Sequence, residues 1–176
     1  MSDFANRIGR AIRLDPNLYE EVEHDTSALP QAMLVVALAS VAGGLGLTSY
    51  MSGIAGLFWG VLGSFLAWFL WASVIYLIGG KILATKETKT DLGELLRVIG
   101  FSAAPGLFRI LGVYTPIREV VIVVTSIWML IAMVIAVRQA LDYLSTLRAV
   151  VVCLLGVLLQ TGVLVLIYRA SETFAR

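Results

Sequence analysis

The chain has 176 residues, of which 59% are hydrophobic and only 14% charged. Soluble domains carry roughly a quarter charged residues, so this composition belongs to a membrane protein. A net charge of +1 leaves no basic field for nucleic acid, and a single cysteine, Cys153, excludes an intramolecular disulfide.

Residues 1–28 are polar. Phe4, Ile8, Ala11 and Ile12 recur at helical spacing beside Arg7, Arg10 and Arg13. That pattern predicts a short amphipathic helix suited to an anionic membrane surface. Glu20, Glu21, Glu23 and Asp25 follow the arginines where a signal peptide would have its apolar stretch, so this segment is expected to be retained. Asp15-Pro16 reads as an N-cap and first-turn proline of a second helix, Pro16–His24.

Apolar spans then succeed one another. The first, about 32–47, ends among Gly43, Gly44 and Gly46. Ala39 and Gly43 lie four apart, as do Ser40 and Gly44. Such pairs let helix backbones approach closely, which matters because lipid supplies no hydrophobic drive between helices. An uncharged connection, 48–52, predicts a tight hairpin into the second span, about 54–78, which is long for a hydrocarbon core of about 30 Å. Gly56, Gly60 and Ser64 continue the small-residue spacing, with Trp59, Trp68 and Trp71 on the opposite side.

A polar loop carries Lys81, Lys86 and Lys89. Asp91 and Glu94 then have the spacing of a capping box. The third span, about 95–111, is short and interrupted: Pro105 removes a backbone hydrogen bond and Gly106 weakens the helix further. Tyr114-Thr115-Pro116 makes a turn. The fourth span, about 120–137, carries Thr125, Ser126, Trp128 and a row of Ala132, Ala136 and Ala140. The fifth, about 150–167, holds Gln160 and Thr161.

The expected fold is therefore all-α: a polytopic membrane bundle of five transmembrane helices with a short cytoplasmic N-terminal segment. Residues 1–28 form that segment, 29–169 the membrane domain and 170–176 a tail. With five spans, Arg7, Arg10, Arg13, Lys81, Lys86, Lys89, Arg97, Arg138 and Arg148 collect on the N-terminal side. Arg109, Arg118, Arg169 and Arg176 fall on the other. The positive-inside rule then sets the N-terminus in the cytoplasm and the C-terminus opposite.

No zinc signature, P-loop or nucleophile elbow occurs, so neither an enzymatic activity nor a cofactor is expected. Glu20 and His24, and Glu21 and Asp25, are each four apart. A solvated acidic face explains them better than a metal site. The candidate polar or lipid site is the broken third span. Arg97 has Glu94 three residues earlier as a local partner, or lipid phosphate within reach. Arg109 has Glu119 across the turn, or the opposite interface. Pro105 makes the break, and Gln160 is the other polar candidate within the membrane. Ala39, Gly43, Gly56, Gly60 and Ser64 are the candidate helix-packing positions.

Several stretches in this order resemble one family. Ala28-Leu29-Pro30-Gln31-Ala32 opens the first span and Tyr76-Leu77-Ile78-Gly79-Gly80 closes the second. Leu95-Leu96-Arg97-Val98-Ile99-Gly100-Phe101-Ser102-Ala103-Ala104-Pro105 forms the third, and Trp128 precedes Ile135-Ala136-Val137-Arg138-Gln139-Ala140-Leu141. Together they look like the Yip family of Rab-GTPase-interacting membrane proteins and their prokaryotic relatives, over about residues 14–141. The resemblance implies a five-span domain with a cytoplasmic N-terminus and no enzymatic activity. Eukaryotic members act in vesicle traffic and bind prenylated Rab GTPases and one another. Tyr19-Glu20-Glu21-Val22 is only a loose counterpart of their Glu-Leu-Gly-Ile-type motif, which leaves GTPase binding in doubt for this chain. The short N-terminal segment and loops look prokaryotic, which implies the inner membrane.

The functional expectation is a non-enzymatic scaffold that binds membrane lipid, another membrane protein or itself as a homo-oligomer. The alternative is a small oligomeric transporter or channel with its polar site at the broken third span, since interrupted helices often mark such sites.

Overall fold

The computed structural model describes residues 2–47 and 53–174, and among them every regular element is helical. Helices α1 (Ser2–Ile12) and α2 (Pro16–His24) form an N-terminal hairpin. Asp15 caps α2 by accepting from the Asn17 N–H at 3.0 Å, and Pro16 sits in the first turn, where its missing N–H costs nothing. The apolar stripe of α1 packs inward: Ala11 is fully buried, with Phe4, Ile8 and Ile12 against the core. From α2, Leu18, Tyr19 and Val22 are fully buried.

A 3-10 turn, Thr26–Ala28, leads into α3 (Leu29–Leu47). Helix α4 (Gly53–Ile75) follows; the expected tight connection, 48–52, lies outside the described residues. Helix α4 runs on into a widened π-helical stretch, Tyr76–Ile82. The widening is held from outside. The Tyr143 hydroxyl lies 3.0 Å from the carbonyl oxygens of both Gly79 and Leu83 and shares its proton with them. Gly79 is needed there, because a Cβ would overlap the Leu141 side chain.

Helix α5 (Leu92–Ser102) opens on the expected capping box: Asp91 accepts from the Glu94 N–H and Glu94 from the Asp91 N–H, both at 2.8 Å. At Pro105 the chain tightens. Proline has no N–H for an α-helical bond to residue 101, and the helix continues as a 3-10 segment, Ala104–Val113. After a turn at Thr115–Ile117 come α6 (Arg118–Ala140) and α7 (Thr146–Phe174). Asp142, in the left-handed region at φ 51°, closes the end of α6.

Four stretches are long and apolar enough to cross a bilayer: Thr26–Gly46, Ala55–Ile82, Leu92–Val113 and Thr115–Ala140. Helix α7 adds a shorter apolar stretch, Thr146–Gly162. The third stretch is the central one. Inside the protein lies 56% of its apolar window, against 33%, 17% and 22% for the first, second and fourth. The buried cluster joins Ala32 and Val35 of α3, Ala72 and Ile75 of α4, and Leu95 and Phe101 of α5. It continues through Ala136 and Val137 of α6 and Ala149 and Val152 of α7. Those are the first halves of α3, of the third stretch and of α7, and the ends of α4 and α6. Successive helices therefore run antiparallel, and the packed core sits at the end that the N-terminal hairpin covers.

The seam between α3 and the third stretch is made of small residues. A Cβ on Gly100 would lie 2.7 Å from Ala32 Cβ, and one on Gly106 3.3 Å from Ala39 Cβ. On Gly112 it would be 2.5 Å from the Gly46 carbonyl oxygen, and on Gly46 it would overlap the Arg109 carbonyl. The 3-10 geometry sets this register. At about three residues per turn, Gly106, Arg109 and Gly112 stack on one face, whereas an α-helix would rotate them apart.

The glycines thus separate into two classes. Gly46→Ala should destabilise the bundle by about 1–3 kcal/mol or more by overpacking. Gly60→Ala meets open space and should be neutral or stabilising by about 0.5–1 kcal/mol. Thermal unfolding of the two variants in detergent distinguishes them.

Candidate functional site

The third stretch carries two arginines, and the structure sends them to different places. Arg97 is buried, at 6% exposure. It does not pair with Glu94, whose carboxylate is engaged at the N-cap. Its Nε donates to the Val22 carbonyl oxygen at 2.9 Å and to that of Glu23 at 3.1 Å, and Nη2 also donates to Glu23. Those carbonyls belong to the last turn of α2, where backbone acceptors lack helical partners and the macrodipole is negative. Arg97 is a cationic C-cap supplied from another helix. The expected lipid anchor is a clamp on the N-terminal hairpin.

Other groups hold the same hairpin. Arg7 bridges Glu21 at 2.9 Å and Asp25 at 2.8 Å, and donates to the Gln31 side chain at 3.1 Å. Arg10 pairs with Asp15 at 2.8 Å and with Glu21. The acidic face predicted to be solvated is exposed at Glu20, Glu21 and His24, and Glu21 and Asp25 of it also pair with arginines of α1. The hydrogen bond from Arg10 holds the Glu21 carboxyl below its usual value, against the opposing pull of burial. Trp128 of α6 donates from its indole to the Ile12 carbonyl at 3.0 Å, tying down the end of α1.

Glu23 behaves oppositely. It is buried, and its Oε2 has no hydrogen-bond partner among the described residues. Burial, then the charges of Glu20, Asp142 and Glu94, push its carboxyl up to about 8, opposed by His24.

Arg109 lies toward the end of the bundle opposite the hairpin. Neither Glu119 nor any other carboxylate pairs with it among the described residues. Nε lies 3.4 Å from the Thr125 hydroxyl and Nη2 3.3 Å from that of Ser126. Gly43 lies beside its stem, and a Cβ there would make an ordinary contact 3.7 Å from Arg109 Cδ. The guanidinium side borders a cavity of about 330 Å³ shared by α3, α4, α5, the 3-10 segment, α6 and α7. Ser40, Ser64 and Gln160 are its other polar lining residues, and Trp68, Trp71 and Met129 part of its apolar wall.

The candidate residues therefore divide. Arg109, Gln160, Ser64 and Ala39 meet at the cavity. Pro105 starts the 3-10 turn that presents Arg109, and Gly43 backs it. Glu94 and Arg97 belong to the hairpin end. Gly60 is exposed and Gly56 half-buried on α4. The Ser40 hydroxyl reaches the Gly60 carbonyl at 3.3 Å, so α3 and α4 touch there through the backbone while the glycine face stays open. Sequence reasoning missed Glu23 and the roles of Thr125, Ser126, Gly106 and Gly112. A spacing of three after a proline, Gly106-Arg109-Gly112, was the available signal for the last two.

The family model of the Yip1 domain matches residues 18–167. This chain belongs to the Yip family. The match begins within α2 and ends within α7, so it takes in both arginines of the third stretch and leaves α1 outside. The family stretches quoted above meet in space in this Yip-family chain. Ala32 packs on Gly100, and Gly79 on Leu141. Trp128 stacks on Phe108 with ring centroids 5.4 Å apart. No curated protein matches the chain, and no solved structure does.

Two outcomes follow for the hairpin. Arg97→Gln should release it, since an unpaired buried acceptor costs about 1–3 kcal/mol; limited proteolysis should cleave the variant within residues 1–28 much faster than wild type. The pH dependence comes from Glu23. A carboxyl raised on docking contributes stability that is full below its unfolded value, about 4.3, and is lost as pH rises through about 8. Wild-type protection should therefore fall progressively between about pH 4.3 and 8 and level off above that, while Glu23→Gln should remove this part of the fall.

Proposed function

We propose that this Yip-family protein is a non-enzymatic integral membrane scaffold that binds other membrane proteins or lipid. In this reading α7 is a fifth span. Its 29 residues reach about 43 Å, more than the roughly 30 Å of a hydrocarbon core. The hairpin and the packed end face the cytoplasm, in keeping with the basic residues of that side, and the C-terminus lies opposite. The short loops favour a prokaryotic inner membrane.

One observation carries the scaffold reading. Helix α4 is the least buried span, and a Cβ on Gly60 or Gly63 would meet nothing within 4 Å. The exposed Phe58, Trp59 and Leu66 flank these glycines. Small residues between bulky ones suit close packing of another transmembrane helix, from a second copy or a partner. A double Gly60→Leu, Gly63→Leu variant should keep its fold, because the space is empty, but lose association. Native mass spectrometry and co-purification read this. Unchanged oligomers and unchanged co-purifying membrane proteins would remove the packing role.

The transporter alternative draws on the polar cavity at Arg109 and the broken third stretch. It predicts flux of an anion or metabolite in oriented proteoliposomes. Flux no greater than in protein-free vesicles would dispose of it. The embedding of α7 is tested separately. Leu158→Cys in a Cys153→Ala background should resist a membrane-impermeant maleimide if α7 is embedded.

A further inference from the structure

We propose that the cavity between Arg109 and Gln160 binds the anionic headgroup of a phospholipid. The inference deepens the lipid-binding side of the scaffold reading and rests on α7 being within the membrane.

The argument starts from charge. A guanidinium at membrane depth is costly unless a counter-charge or water compensates it. Among the described residues Arg109 has two hydroxyl partners, at 3.4 and 3.3 Å; the Thr125 hydroxyl accepts from it while donating to the Val121 carbonyl, and both are neutral, so neither supplies a counter-charge. Across the cavity, the Gln160 amide has no hydrogen-bond partner among the described residues. Its two donors and its acceptor are free for a ligand. A cation and an unsatisfied amide on one cavity call for a group with a negative charge and several acceptor oxygens. A phosphodiester has both.

The walls then select an amphiphile over a free ion. The indole N–H of Trp68 donates to the Leu96 carbonyl at 3.1 Å and that of Trp71 to the Met133 sulfur at 3.3 Å. Both rings therefore offer the cavity apolar surface, and Val36, Ile99 and Met129 add to it. At about 330 Å³ the space is at the small end of ligand sites, which run to roughly 300–1,000 Å³. It holds a headgroup, with the acyl chains left along the exposed faces of the bundle.

Depth agrees. Arg109 lies four residues before the end of the 3-10 segment. At about 2 Å per residue, its backbone is roughly 8 Å inside that end. A headgroup from the leaflet opposite the hairpin needs only a shallow dip to meet the guanidinium.

The test is native mass spectrometry of delipidated protein re-exposed to phosphatidylglycerol, phosphatidylcholine or inorganic phosphate. Wild type should retain phosphatidylglycerol over phosphatidylcholine by roughly tenfold. Arg109→Gln and Gln160→Met should lose that preference, and Lys86→Gln, a surface control, should keep it. If Arg109→Gln does not fold, Gln160→Met, neutral and of similar volume, decides. Equal preference in the folded variants and wild type overturns the proposal. Displacement of the lipid by millimolar phosphate reassigns the site to a soluble anion and also overturns it. Loss of co-purifying proteins in the α4 double variant, or its absence, bears on the packing role alone and leaves this result untouched.

Discussion

The bundle depends on how closely α3 and the third stretch approach. At Gly46 and Gly112 the two backbones are near enough that neither position has room for a side chain. Lipid gives helices no reason to associate beyond packing and hydrogen bonding, so such an approach must come from shape. The 3-10 segment supplies the shape. Its threefold repeat lines up Gly106, Arg109 and Gly112 against α3, and the third stretch becomes the axis on which the other helices pack.

That axis divides the molecule. At the hairpin end it is wrapped on all sides, and Arg97 is satisfied by backbone carbonyls of α2. Beyond the proline, the same element is covered by α3 and α6 and borders a cavity. Two arginines twelve residues apart thus meet opposite surroundings. The first is part of the fold's hydrogen bonding. The second has only neutral hydroxyls for partners among the described residues.

Much of this was legible in the sequence. Composition and run length pointed to the membrane class and to four of the five expected spans, because hydropathy reflects a solvent constraint that acts residue by residue. The caps at Asp15 and Asp91 were legible for the same local reason. Pro105 and Gly106 marked the break. What the break becomes was not legible, since a proline permits a kink, a bulge or a tightened turn, and packing against α3 selects among them. Partner choice for the charges was also hidden. Glu94 is three residues from Arg97 and looked like its partner, yet the N-cap took the carboxylate and α2 the guanidinium. The acidic run is exposed as expected at Glu20, Glu21 and His24, but the pairing of Glu21 and Asp25 was hidden because Arg7 and Arg10 lie on a different helix. Glu23 sat within that run with nothing local to distinguish it from Glu20 and Glu21.

The hairpin is made first and secured last. Its carbonyls wait for a guanidinium 75 residues further along the chain, and the end of α1 waits for an indole 116 residues away. Closing loops of that length costs entropy before the contacts return it. During synthesis, α1 and α2 therefore stand free of the bundle until the third and fourth stretches have entered the membrane. A docked hairpin therefore requires that the third and fourth stretches are already in place.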